Sequence, residues 1–168
     1  MMLFCETLFA EGQNSVSEYK LGSGDKLSIV VFDEDDLSIE AVLSDAGTIS
    51  YPFLGELEVK GKTLSELENL VIGGLKGPYL IDPKVNVKVI EYRPFYIHGE
   101  VVKSGGYPYQ PGLTLRKAIT LAGGFTERAS KTKIYVRRDG VSSGQPELIT
   151  MDDYIFPGDT VTVEQSFF

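Results

Sequence analysis

Tyr19-Lys20-Leu21-Gly22-Ser23-Gly24-Asp25 runs without a break into Lys26-Leu27-Ser28-Ile29-Val30-Val31-Phe32. The second seven residues are rich in β-branched side chains and read as a strand. The first seven form a glycine-punctuated lead-in, whose aspartate can cap nearby amides in a tight turn. A shorter echo lies far downstream: Phe156-Pro157-Gly158-Asp159 again stands directly before a strand, Thr160 to Glu164. The echo is too short to prove duplication, but it puts a Gly-Asp turn at the head of a strand in each half of the chain.

Outward from the first strand, Asp33-Glu34-Asp35-Asp36 is a charged loop and Ile39 to Leu43 a second strand. Thr48 to Tyr51 and Glu56 to Val59 form short strands around the turn marked by Pro52 and Gly55. Thr63 opens a helix, because Thr63 with Glu66 forms a capping box in which each side chain satisfies an orphan amide. Leu64, Leu67, Val71 and Leu75 follow at helical spacing and predict one buried face, and Gly77-Pro78 ends the helix. Val85, Val87 and Val89 alternate with polar residues, as a half-buried strand requires. A boundary falls at Glu91 to Pro94. Beyond it, Phe95 to Val102 reads as a strand, and Gly105, Gly106, Pro108 and Pro111-Gly112 as a loop. Thr114 caps a second helix, with Leu115, Ala118, Ile119 and Ala122 on one face and Gly123-Gly124 at its end. Lys133 to Arg138 reads as a strand and Val141 to Pro146 as a polar loop. The expected class is α+β: two small modules, the first a mixed sheet with one helix. The expected divisions are a tail at 1–16, a first module at 17–92 and a second at 93–168.

Composition narrows the function. The chain has 168 residues, 42% of them hydrophobic, and a formal charge of −8, which argues against nucleic acid as a partner. The charge is uneven. Residues 1–90 carry 15 acidic and 7 basic side chains, whereas residues 91–168 carry 9 of each, including Arg128, Lys131, Lys133, Arg137 and Arg138. Two solvated surfaces would account for this; the sharper reading is head-to-tail complementarity between copies, since unlike fields steer association. The single cysteine, Cys5, forms no intramolecular disulfide and is read as a free thiol in the tail. Met1 to Ala10 is mostly apolar and resembles the end of a secretory signal without its basic start; the alternatives are a start lying upstream or a loose tail. No window reaches eighteen consecutive apolar residues, so no membrane-spanning helix is expected.

The stretch Tyr19 to Ile29 resembles the opening of the polysaccharide biosynthesis/export domain. So do Asp45-Ala46-Gly47-Thr48-Ile49, Pro52-Phe53-Leu54-Gly55, Val59 to Leu67 around Gly61, and Asp82-Pro83-Lys84-Val85-Asn86-Val87. Ile97-His98-Gly99-Glu100-Val101, Thr114 to Phe125 around Gly123-Gly124, and Pro157-Gly158-Asp159-Thr160-Val161 resemble a soluble ligand-binding β-grasp (SLBB) domain. The ordered set over roughly residues 17–165 is specific, although each piece alone is weak. Ser104-Gly105-Gly106 departs from the family's usual Pro-Gly, and bulky Phe4 before Cys5 does not fit a lipidation site. Because the chain stops at Phe168, the likeness is to short members of the Wza-like export family, without the C-terminal membrane helix of the larger ones. The resemblance implies a non-enzymatic periplasmic component of capsular or exopolysaccharide export, associated with the outer membrane through partners. Those partners would be other copies of itself in a ring, the polysaccharide chain, an outer-membrane pore protein and an inner-membrane polysaccharide co-polymerase.

Transport of a hydrophilic polymer needs a polar wall rather than an acid, base or nucleophile, so no catalytic, metal or cofactor residue is expected. Asp25 and Asp159 are read as turn caps, with a subunit contact as the alternative. Gly22, Gly24, Gly47, Pro52, Gly55, Gly61, Gly99, Gly123, Gly124 and Gly158 are read as turn or interface positions. Glu100 is read as an edge-strand charge that discourages unwanted pairing. Tyr92, Tyr96, Tyr107 and Tyr109 are candidates for stacking on sugar faces, with core packing as the competing reading. Lone His98 is read as a structural or surface histidine, unaccompanied by a Gly-x-Ser-x-Gly elbow. Gly22-x-Gly24 lacks the third glycine and the following helix of a phosphate loop. The alternative to an export component is a stand-alone β-grasp module that binds a small sugar or cofactor.

Overall fold

A computed structural model of the chain describes residues 19–141 and 144–167. The expectations for residues 1–16, Cys5 included, lie outside the described residues.

Two separate hydrophobic clusters form, one from Leu21 to Val87 and one from Phe95 to Val163. In the first, β1 (Lys26–Val31) buries Leu27, Ile29 and Val31 by strict alternation, which points these three side chains to one face. It lies between β2 (Ile39–Val42) and β5 (Val85–Glu91), antiparallel to both. β3 (Thr48–Tyr51) and β4 (Gly55–Glu58) pair as a hairpin, and Ile49 and Tyr51 reach the same core. The parallel pairing expected of this module is not found in it: its described strand pairs are all antiparallel. Short connections favour that direction for β1 with β2 and for β3 with β4, whereas β1 and β5 pair antiparallel across the long stretch 32–84 that contains α1.

Helix α1 (Leu64–Leu75) packs over this sheet. Thr63 Oγ1 accepts from the Glu66 amide at 3.2 Å and the Glu66 carboxylate accepts from the Thr63 amide at 2.8 Å, so both halves of the capping box are made. Leu67, Val71 and Leu75 are fully buried. The loop at 33–36 contains one short 3-10 turn, Asp35–Leu37, which buries Leu37 beneath the Tyr51 hydroxyl.

The second module is one five-stranded sheet in the order β7-β6-β10-β8-β9 with a helix on one face. Its strands are β6 (Phe95–Gly99), β7 (Gly105–Tyr107), β8 (Ala129–Arg137), β9 (Glu147–Leu148) and β10 (Thr160–Gln165). The last strand in sequence lies in the middle, parallel to β6 and antiparallel to β8. The parallel pair is reached by a crossover containing α2 (Leu115–Leu121), whose Leu115, Ala118 and Ile119 cover Phe95, Ile97, Val161 and Val163. The opposite face of this sheet is left uncovered by any described element.

Gly105 and Gly106, expected in a loop, belong to edge strand β7. Glycine is a poor strand former, but here the ring of Tyr96 lies over Gly106, occupying the space a Cβ would need. β9 is a two-residue strand that directly follows the loop expected at Val141 to Pro146.

The helix starts give a direct comparison. Thr114 has only one capping contact, at 3.5 Å to the Lys117 amide, and has lysine where a capping box needs glutamate. Thr63→Ala is therefore expected to cost about 1 kcal/mol and Thr114→Ala clearly less, measured by equilibrium denaturation of each variant.

Candidate functional site

The Gly-Asp turns adopt the same geometry in both modules. The Gly22 amide donates to Asp25 Oδ2 at 2.9 Å, and the Phe156 amide donates to Asp159 Oδ2 at 2.9 Å. The return bonds also match: Asp25 N to Gly22 O at 3.1 Å, and Asp159 N to Phe156 O at 3.2 Å. Asp25 is 0% exposed and Asp159 1%. A buried carboxylate is costly unless paired and hydrogen-bonded, and each has an arginine. Arg93 Nη1 lies 3.0 Å from Asp25 Oδ2, and Arg138 Nη1 lies 2.6 Å from Asp159 Oδ2. Arg138 also donates to the Tyr154 carbonyl and sits 5.2 Å over the ring of Phe156.

Arg93 does more than pair with one turn. Its amide donates to Asp25 Oδ1 at 2.8 Å, Nη1 donates to the Tyr19 hydroxyl at 2.7 Å, and Nε donates to Asp139 at 2.9 Å. The Tyr19 hydroxyl in turn donates to Asp25 Oδ2 at 2.7 Å. One cation on the linker between the modules thus holds Tyr19 and Asp25 of the first and Asp139 of the second. The guanidinium passes between the two turns so closely that a Cβ at Gly22 would collide with it, and one at Gly158 would collide with both Arg93 and Asp139. These are the two glycines whose lack of a side chain the joint requires. Around it, Tyr92 packs edge-on against Tyr19 at 5.1 Å and against Tyr109 at 5.3 Å.

Burial raises the Tyr19 hydroxyl far above the ordinary phenol range, and its hydrogen bond to Asp25 adds to this. Burial pushes the Asp159 carboxyl up, against the opposing pull of the Phe156 amide and Arg138. Tyr92 and Tyr109 are also raised by burial. Asp25 accepts four hydrogen bonds, and no buried side-chain polar atom among the described residues is without a partner. Chemically this is a saturated joint, with every lone pair it exposes to the interior already used. Among the described residues no group of three or more His, Cys, Asp or Glu side chains could hold a metal ion.

The other candidate residues are scattered. Gly24 ends the first turn, Gly47 lies between β2 and β3, Pro52 and Gly55 at the β3–β4 turn, Gly61 before α1, and Gly123 and Gly124 after α2. Gly99 lies against the backbone of Val163 on the neighbouring parallel strand. Glu100 lies just past the end of β6, and its carboxylate accepts from the Thr126 hydroxyl. Of the four tyrosines considered for sugar stacking, Tyr92 and Tyr109 are engaged at the joint. Tyr107 packs on Phe95 and donates its hydroxyl to the Lys103 carbonyl. Tyr96 alone among them stands on the uncovered sheet face, 48% exposed. There His98 bonds Thr162 at 3.0 Å, beside a depression of about 240 Å³ that Tyr135, Arg137, Pro146 and Thr160 also line.

Sequence reasoning missed Arg93 as the central residue of the joint. The available signal was its position, a single cation between Tyr92 and Pro94 at the module boundary and near a cation-poor first module.

Residues 13–90 match the polysaccharide biosynthesis/export protein family, and residues 94–149 match the SLBB domain. The chain belongs to the polysaccharide biosynthesis/export family, with an export domain followed by an SLBB domain. It is similar to the exopolysaccharide production protein ExoF of Rhizobium meliloti, 35% identical over 76% of this chain and 33% of that protein. It is similar to the EPS I polysaccharide export outer membrane protein EpsA of Ralstonia nicotianae, 30% identical over 88% of this chain and 47% of that protein. The capsule polysaccharide export outer membrane protein CtrA of Neisseria meningitidis is 26% identical over 61% of this chain and 26% of its own length. The alignments span less than half the length of these curated relatives.

Breaking the joint from one side should be severe. Arg93→Met leaves Asp25 buried with no countercharge and is expected to cost about 3 kcal/mol or more in denaturant melts. Tyr19→Phe should cost about 1–2 kcal/mol at pH 7 by removing one donor to a carboxylate. The wild-type phenol holds its proton in the folded state and releases it when unfolded near pH 10. Wild-type stability therefore falls as pH rises through about 10, and the deficit of Tyr19→Phe should narrow there when both proteins are melted across that range.

Proposed function

We propose that this chain is a non-enzymatic component of an exopolysaccharide or capsule export apparatus, acting in the periplasm and associated with the outer membrane through partners. The observation that carries the reading is the presence of both family domains in order on one chain, matched over residues 13–90 and 94–149, joined by the Arg93 ion-pair joint. Relatives named for exopolysaccharide production and for capsule and polysaccharide export support it. Among the described residues no helix is long and apolar enough to cross a membrane, in keeping with a component that reaches an outer-membrane pore through a partner.

In this reading several copies associate into a ring or collar whose polar inner surface lets the glycan slide. The polymer, other copies of the chain, a pore protein in the outer membrane and a co-polymerase in the inner membrane are its partners. Head-to-tail association is favoured by the charge pattern: an acidic first module beside a second module carrying Arg128, Lys131 and Lys133 on its surface. Asp25, Asp159 and the glycines of their turns then act by fixing the angle at which one module presents the other.

Two measurements test this. Sedimentation of the purified protein is expected to show self-association that weakens as salt rises, because exposed charges are screened over about 10 Å at 0.1 M. A strain lacking the gene is expected to accumulate polymer inside the cell. A protein that stays single at high concentration, together with normal secretion by the deletion strain, would overturn the proposal.

A further inference from the structure

The uncovered face of the five-stranded sheet bears an ordered grid of side chains. Strand register places Tyr96, Thr160 and Arg137 abreast in one row and His98, Thr162 and Tyr135 abreast in the next. Neighbouring strands lie about 4.8 Å apart, so the grid is a platform about 10 Å across from β6 to β8. Its middle column is two threonine hydroxyls and its flanks hold two tyrosine rings, a cation and an imidazole. The depression of about 240 Å³ is lined by His98, Thr160, Thr162, Tyr135 and Arg137 of this grid together with Pro146, and Tyr96 stands beside it, its ring over Gly106.

Three features of the platform belong together. Tyr96 is held in place by lying over Gly106, so it presents an ordered ring at little entropic cost on binding. The hydroxyls of Thr160 and Thr162 sit on the same side of adjacent turns of the pleat and can meet vicinal hydroxyls of a sugar. Arg137 has no carboxylate partner among the described residues, whereas its neighbour Arg138 is consumed by Asp159 and Glu147. The regular β8–β10 register holds through both rows of the grid and breaks past Val163, so Arg137 is the cation that belongs to the ordered part of the grid. A guanidinium fork matches a carboxylate in two parallel hydrogen bonds and loses little freedom in doing so.

We propose that this platform is a saccharide subsite selective for a sugar that carries a carboxylate: Arg137 takes the carboxylate, Thr160 and Thr162 take ring hydroxyls, and Tyr135 takes an apolar face, with Tyr96 at the rim. The proposal rests on the export reading and deepens it, by naming the chemical class of polymer that touches the second module. Charge complementarity selects the occupant. A neutral glycan gains nothing from Arg137, and an acidic glycan is repelled by the surplus of carboxylates on the first module, so it is drawn to the charge-balanced second one. A shallow, open platform also suits a polymer that has to be released and passed on.

The test uses the whole chain with two probes of equal length, an oligogalacturonate and a neutral malto-oligosaccharide, followed by backbone amide shifts at about millimolar sugar. The expected result is that the acidic probe shifts amides of β6, β8 and β10, and that the neutral probe is bound at least about tenfold more weakly. Arg137→Gln should weaken the acidic probe by about tenfold while leaving the neutral probe unchanged. Thr162→Val should weaken both. Each variant is checked by denaturation, and since these side chains lie outside the core, wild-type stability is expected. Equal binding of the two probes, an unaltered affinity in Arg137→Gln, or shifts confined to other surfaces would overturn the subsite. If instead the deletion strain secretes normally while the acidic probe still binds as described, it is the export reading that fails and the subsite that stands.

Discussion

Arg93 donates along both its backbone and its side chain, and the arrangement of the two modules follows from where those donors go. Asp25 can be buried only because four donors surround it, and two of the four belong to Arg93. Because the backbone amide is one of them, the direction of the chain leaving β5 is tied to the turn that precedes β1. The remaining guanidinium edge is spent on Asp139, on the loop after β8. A buried ion pair is weak evidence for stability in itself, since an apolar replacement can do as well. Its better-attested use is specificity: an apolar contact would tolerate sliding, whereas these hydrogen bonds are satisfied at one relative placement.

The same turn serves each module, with its own arginine. Arg138 occupies at Asp159 the place that Arg93 occupies at Asp25, yet it directly follows β8 of the same module and rests on Phe156. The carboxylate at the head of a strand is therefore a general device in this chain, and recruitment of the partner from the linker is what turns one copy of it into a joint. The glycines at positions 22 and 158 then have a shared reason: both turns face the same guanidinium and neither has room for a side chain.

Much of this was legible in the sequence wherever the determinant was local. The capping box at Thr63 and Glu66, the helical spacing of Leu67, Val71 and Leu75, and the period of two in β1 and β5 are each written within one or two turns of chain, and the structure realises all of them. What escaped was long-range or unfavourable by propensity. β7 is made of two glycines and a tyrosine, and exists as a strand because Tyr96 on the neighbouring strand fills the space above it. The central place of β10 depends on a strand at the end of the chain inserting beside β6. The antiparallel pairing of β1 with β5 joins segments more than fifty residues apart, across α1, and no local pattern announces it. Arg93 was invisible as a functional residue because its partners lie 68 and 46 positions away, and a single arginine carries no period and no motif. Tyr96 could be named as a candidate for sugar contact, but its separation from Tyr92, Tyr107 and Tyr109 required knowing which face each ring takes.

Strongly shifted titratable groups often mark catalytic centres, since chemistry needs matched proton affinities, but ion-pair networks produce the same sign. Here the two cases can be told apart by where the groups point. Tyr19 and Asp159 are raised by burial, and each spends its polar atoms on a turn or an arginine rather than on a space that a substrate could enter. The depression lies elsewhere, on a sheet face whose hydroxyls, rings and guanidinium can bind but include no paired acid and base aimed at a common point. Electrostatic strain in this chain is therefore concentrated where the modules meet, and the surface left open to a large partner is flat, polar and aromatic. On the proposed export reading that division has a use, because a wall over which a polymer passes has to be rigid at its joints and undemanding on its face.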